Sequence, residues 1–469
     1  MTKLLIPTLL TASLALAGCA NLAPTYERPA APVASQWPVP QTTTADAKAA
    51  DIGWREFFTD PKLQGLIEQA LANNRDLRVA VLNVQRAQAQ YGVQRADRLP
   101  SVNAGVGQTA QHVGGVTTRQ YTATLGVSAY ELDLFGRVRI LTDAALQQYL
   151  ATDDARRSAQ ISLVAEVANS YLTLAADQER LRLAEQTLLA RQDSLRLTQR
   201  LQAAGVSSTL DLRQAEIAAE TAQSDLASLT AQVAQDRNAL ELLVGQPLQP
   251  AQWPMAGTDA AVTQTAELSA GLPSDVLLTR PDVQQAERTL QAANANIGAA
   301  RAAFFPRISL TASAGSASNA LGDLFRAGTG MWSFVPQVSL PIFDAGRNQA
   351  NLKVARVDRD IAVAQYEKSI QSAFRDVADA LAQRATLGQQ VASQQRLVTQ
   401  TQDALRLAEA RFAKGLDDRL ATLDAQRSLY SAEQGLIAAR LAQQANRVTL
   451  YKALGGGAGT GEQAPQSAS

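Results

Sequence analysis

The 469-residue chain has one Cys, one His, few aromatics (5 %) and no net charge, because 43 basic side chains balance 43 acidic ones. Each scarcity excludes something. One Cys forbids an internal disulfide, and one Cys with one His cannot build a Cys/His metal site. Nucleophile–His catalysis would have to use His112, and a Cys–His pair would need Cys19 as well. A neutral chain without a basic stripe is not expected to bind nucleic acid. No Walker A, dinucleotide fingerprint, HExxH or GxSxG pattern occurs, so neither an enzyme nor a cofactor is expected. Beyond residue 19 there is no run of 18 apolar residues, so any membrane insertion must use strands. What is present is apolar content, at 46 %, and alanine, with 88 residues, which points to long helices with close backbone approach. The length exceeds one ordinary domain.

Residues 1–18 read as a secretory signal: Lys3 is followed by a mostly apolar stretch from Leu4 to Leu16. Leu16-Ala17-Gly18-Cys19 resembles a bacterial lipoprotein box, in which the Cys is lipidated and becomes the new N-terminus. An ordinary cleavage site at Ala15-Leu16-Ala17, with Cys19 merely nearby, is the plainer alternative. Ala20, a non-acidic residue after the Cys, points to export to the outer membrane in such lipoproteins. Residues 19–59 then form a Pro- and Ala-rich segment, expected to be extended.

The rest of the chain repeats itself. Gly136-Arg137 matches Gly346-Arg347, Gly205-Val206 matches Gly415-Leu416, and Leu243-Val244-Gly245 matches Ala453-Leu454-Gly455, each at an offset of 210. The halves are residues 60–245 and 272–455, joined by a linker at 246–271 and followed by a tail at 456–469 expected to be disordered. Each half opens with a helix after a proline, Pro61 to Arg98 and Pro281 to Phe305, stopped by Pro100 and Pro306. Two alternating segments follow in each half, predicting strands at about 101–111 and 120–133, and at about 307–317 and 332–342. Loops are expected at Gln108 to Gln120 and Gly315 to Met331. Period two over about ten residues fits transmembrane β-strands, and equally two soluble hairpins.

Long helices complete each half. Val138 to Ala204 holds neither Gly nor Pro over 67 residues, or about 100 Å of helix. Leu174, Leu181, Leu188 and Leu195 recur every seven, and Val363, Tyr366, Ile370, Phe374, Val377 and Leu381 follow 3-4 spacing. Such seams predict antiparallel helical hairpins, at 137–245 and 347–455, turning at Gly205 and Gly415. The fold class is therefore α+β, mostly α, as two tandem repeats of helix, β-hairpin and long helical hairpin. Four strands cannot close a membrane barrel, whose smallest examples have about eight, so a barrel would have to be shared between two or three chains.

The residues at this point resemble the TolC-type outer membrane factors, and within them the NodT subgroup of efflux lipoproteins. The matching stretches are Cys19 to Pro29, Trp54 to Phe58, Asp60 to Asp76, Leu272 to Asp282, Ala292 to Pro306 and Gly415 to Arg427. The resemblance implies a homotrimer, with a twelve-stranded barrel in outer membrane lipid continuing into a periplasmic α-helical barrel. It implies a passive exit duct for drugs or small molecules, fed by an inner membrane pump through a periplasmic adaptor. Ducts of the same fold serve protein secretion or metal export, and a structural coiled-coil lipoprotein is the alternative of another class.

The resemblance also assigns residues. The adaptor docks on the hairpin turns, which here carry Gly205, Val206 and Ser207 in the first, and Arg411, Gly415 and Leu416 in the second. Leu201 stands where the first turn would hold the equivalent of Arg411, and Arg200 is displaced by one. The resting channel is closed by the helix after the second turn, at Leu420, Asp424 and Arg427. Taken without the resemblance, Asp424 and Arg427 make an ordinary helix-surface ion pair and Leu420 a packing residue. The two glycines are turn glycines, Asp417 and Asp418 cap a helix, and His112 is an exposed loop residue with no evident partner.

Overall fold

A computed structural model describes residues 22–38, 49–255, 268 and 277–458. The signal segment, Cys19, part of the linker and most of the tail lie outside the described residues. The helices are α1 (Trp54–Phe57), α2 (Pro61–Asn73), α3 (Arg75–Ala96), α4 (Arg137–Ala203), α5 (Thr209–Val244), α6 (Pro281–Ala302), α7 (Arg347–Ala413) and α8 (Arg419–Ala453). The strands are β1 (Val102–Val113), β2 (Val116–Glu131), β3 (Arg307–Ser318) and β4 (Gly330–Ser339). The helix expected from Pro61 to Arg98 is interrupted. Asn74 adopts an extended ψ of 131°, its Oδ1 accepts from Leu77 N, and its Nδ2 donates to the Leu243 carbonyl. A side chain that can cap a helix has divided one helical pattern into two.

Two compact units cut across the sequence repeat. The first takes the chain up to Ala30, Leu82–Asp154 and Gln284–Ser369; the second takes Ala31–Val81, Ala155–Val283 and the chain from Ile370 onward.

In the first unit the four strands make one antiparallel sheet in the order β1-β2-β3-β4. The long loop expected at Gln108 to Gln120 does not exist. Strands β1 and β2 continue to a two-residue turn at Gly114 and Gly115, whose φ values of 58° and 80° suit the primed turn that matches strand twist. His112 accordingly lies on a strand, and its Nδ1 is 2.9 Å from Thr117 Oγ1 on the facing strand. Strand β4 ends at Ser339, so Leu340 to Ile342, expected as strand, lies beyond it. One extra residue in β2 shifts its register against β3 between Val127 and Tyr130, with Ala129 at φ 52°.

The strand-to-helix junctions repeat. Asp133 accepts from Val138 N and Arg139 N at the start of α4, and Asp344 accepts from Gly346 N and Asn348 N at the start of α7. Gly136 and Gly346 sit at φ 72° and 85° in these turns. At the foot of the sheet Glu131 binds Arg137 through two bonds of 2.8 and 2.7 Å and also pairs with Arg307.

The second unit is held by an aromatic core. Phe57 stacks on Tyr451 at 4.0 Å, Phe58 meets the same ring edge-on, and the Tyr451 hydroxyl donates to the Ile52 carbonyl. Asp60 caps α2 at Lys62 N and accepts a 2.7 Å bond from the Tyr171 hydroxyl on α4.

Candidate functional site: sheet face, hairpin turns and helix α8

Register decides what each face of the sheet carries. Residues directly opposite one another share a face. One cross-strand row is Ala104, Leu125, Ala314 and Trp332; the next is Val102, Val127, Ala312 and Phe334. Ile308 opposite Val338 continues the same face. The other face reads Asn103, Gly126, Ser313 and Ser333, then Gly105, Thr124, Gly315 and Met331. One face is thus aliphatic and aromatic, the other small and mostly polar. Leu125, Trp332, Phe334 and Val338 are all exposed, with Trp332 at 79 %. On the small face the strands crowd. A Cβ at Gly126 would fall 2.4 Å from the Ala312 carbonyl oxygen, and one at Gly315 2.0 Å from that of Ala123. Strands β1 and β4 have no strand partner on their outer edges among the described residues.

The two hairpin turns are built alike. In the first, Gly205 N donates to the Gln202 carbonyl and Val206 N to that of Leu201; in the second, Gly415 N donates to Phe412 and Leu416 N to Arg411. Both are Schellman endings, with the glycines at φ 75° and 69°. Nothing lies within 4 Å of either glycine's missing Cβ, so space does not require Gly there and backbone conformation does. Val206 and Leu416 are exposed at 75 % and 63 %. The backbone pattern also makes Leu201 the equivalent of Arg411.

The turns differ in how the next helix begins. Ser208 caps α5 in a capping box with Asp211, and Ser207 Oγ donates to the same carboxylate. These bonds to the Ser208 side chain and backbone hold the Asp211 carboxyl below its usual range. Asp418 caps α8 through Ala421 N, while Asp417 takes Arg411 in a two-pronged pair of 2.6 and 2.8 Å across the turn. That pair holds the Asp417 carboxyl below its usual range.

On α8 the Arg427 guanidinium and the Asp424 carboxylate pair at 2.7 Å within one chain, both exposed, and Leu420 is 41 % exposed. Thr422 and Leu423, between them, are buried. Helix α8 is tied to α4 by two contacts that the sequence reading missed: Arg191 to the Gln426 side chain, and Arg419 to Ser194 Oγ. Burial, then the charges of Arg427 and Arg419, depress the Arg191 guanidinium. A signal for Arg191 existed. It lies three residues after Leu188 and four before Leu195, on the stripe where an apolar residue is expected, and it is buried.

A family model described as outer membrane efflux protein matches residues 66–246 and again 272–456. The chain belongs to the outer membrane efflux protein family. It is 52 % identical to the toluene efflux pump outer membrane protein TtgC of Pseudomonas putida, over 97 % of this chain and 96 % of that protein. It is 44 % identical to the cation efflux system protein CusC of Escherichia coli, over 95 % of this chain and 97 % of that one. Among solved structures, the open state of the MtrE outer membrane channel of Neisseria gonorrhoeae superposes with a TM-score of 0.87 at 41 % identity, covering 93 % of this chain and 98 % of that one. The chain is thereby an outer membrane efflux channel, built on the fold that its strands and helical hairpins describe.

Proposed function

We propose that the chain acts as the exit duct of a tripartite efflux pump, as a homotrimer joined to a periplasmic adaptor and an inner membrane pump. The carrying observation is the sheet: four strands, one apolar face and two open edges, in a chain whose described helices include none able to cross a membrane. Open edges in lipid leave backbone groups unpaired, so β1 of one copy closes on β4 of the next. Three copies give twelve strands. The crowded small face lines the lumen and the apolar face meets lipid. Residues 1–18 serve as the signal, and Cys19 carries acyl chains that add a second anchor, as in the NodT subgroup. The repeats 60–245 and 272–455 each supply one β-hairpin and one helical hairpin.

In this reading the two Schellman turns dock the adaptor. The second presents Arg411 already paired with Asp417, and the first offers Val206 and Ser207 without an equivalent Arg. Leu420, Asp424 and Arg427 narrow the resting channel. The cargo is small molecules: the lumen rows of Gly, Ser, Thr and Asn make no selection, so the pump upstream chooses. Toluene and cations in the relatives' names fit one duct serving different pumps.

Native mass spectrometry of the detergent-solubilised protein tests the assembly. A species of three chains is expected; a monomer or dimer as the sole form would overturn it.

A further inference from the structure

The segment ahead of α1 runs along α6 in a fixed direction. Tyr26 and Arg28 bind Glu287, Asn294 donates to the Pro24 carbonyl, and Arg301 donates to the Leu22 carbonyl. Ala23 packs so close to Gly298 that a Cβ there would lie 2.5 Å from its backbone nitrogen. The lengths agree. From Leu22 to Arg28 an extended chain covers about 21 Å, and from Glu287 to Arg301 a helix rises about 21 Å. The segment is therefore straight, antiparallel to α6, and aimed at the end of α6 that leads into β3. Three residues separate Leu22 from Cys19 in the sequence, a reach of about 10 Å at most.

The apolar face of the sheet holds a groove over β3, of about 530 Å³. Its floor is Ala312 and Ala314. Leu125 and Val127 wall one side, opposite those alanines on β2, and Trp332 and Phe334 wall the other on β4. Large, small, large across three strands makes a channel along β3. Ala312 lies five residues into β3, about 17 Å from its start. An acyl chain spans about half of a hydrocarbon core of roughly 30 Å, a matching length.

We propose that an acyl chain carried on Cys19 lies in this groove, seated on Ala312 and Ala314 between the Leu125/Val127 and Trp332/Phe334 walls. The anchor then packs on the chain that bears it, and the lipid joins α6 to the sheet. This rests on the reading of Cys19 as acylated.

The test uses the full-length protein made in cells fed a palmitic acid analogue with a mid-chain diazirine. Outer membranes are irradiated, and peptides joined to the Cys19 peptide are mapped by mass. Adducts should concentrate on peptides containing Ala312, Ala314, Trp332 and Phe334. The Ala314→Phe variant, with its groove filled, should lose them while its trimer persists. Labelled Cys19 with adducts only to phospholipid, or spread over all strands, would overturn the groove and leave the anchor. Groove peptides joined to phospholipid rather than to Cys19 would give the groove to bulk lipid and overturn the proposal. An unlabelled Cys19 would overturn the anchor itself, and the proposal with it.

Discussion

Asp236 is a buried acid that the channel reading does not use. Its Oδ1 accepts from Gln232 Nε2 at 2.8 Å, while Oδ2 has no hydrogen-bond partner. Asp177 faces it from α4, paired with Arg180 at 2.6 Å. Burial, and then the neighbouring Asp177, push the Asp236 carboxyl above its usual range. A carboxyl raised in the folded state contributes stability that is complete below its unfolded pKa and is lost as pH rises through its folded pKa. Asp236→Asn should therefore raise thermal stability at neutral pH, by an amount on the order of 1 kcal/mol, and flatten its decline above the unfolded Asp pKa. An unchanged pH profile would contradict this. On α8, Asp424 and Arg427 are exposed and paired in one chain, and the charge of Arg427 also acts on the buried Arg191 of α4. Three copies of Asp424 around one narrowing would repel at roughly 1 kcal/mol per pair at 4 Å in bulk water, and more at lower dielectric. In the proposed narrowing Arg427 would offset that repulsion. Asp424→Ala should weaken cation preference, and Arg427→Ala should raise resting conductance, both read from single-channel currents in the same salt. Identical currents in both variants would leave the pair an ordinary helix-surface contact.

Elements divide into those the sequence exposes and those it hides. The 67-residue helices were legible because glycine and proline are absent from the first, and the leucine seams name their buried side. The hairpin turns were legible because Gly205 and Gly415 recur at one offset. The β1–β2 turn was not: Gln108 to Gln120 is rich in Thr and Gln, yet only Gly114 and Gly115 turn, because exposed strands tolerate Thr and Gln as well as loops do. The break at Asn74 was also hidden, since its reason is a carbonyl 169 residues away at Leu243. Arg191 and Arg419 were missed because each reaches across to the other hairpin. The strand faces give a prediction at this scale. Leu125→Asp or Val338→Asp puts a charge on the apolar face, where basic residues cost about 2–4 kcal/mol at mid-depth and Asp less. Trimer yield in the outer membrane should fall for both. Full yield would mean that these positions do not face lipid.

For the whole molecule, one physical constraint organises the rest. A chain with no apolar spanning helix among its described residues, but with a one-sided apolar sheet, can enter lipid only by closing that sheet on other copies. The repeat then gives each copy two helical hairpins, so three copies carry six turns, the surface proposed above to dock the adaptor. None of this depends on cargo, and relatives named for toluene and for cations match nearly the whole length of the chain. The most direct measurement is current through the purified wild-type protein in a planar bilayer. The account predicts discrete, uniform conductance steps with a preference for cations, from Asp424 at the narrowing. A membrane into which the protein inserts without any conductance step would contradict it.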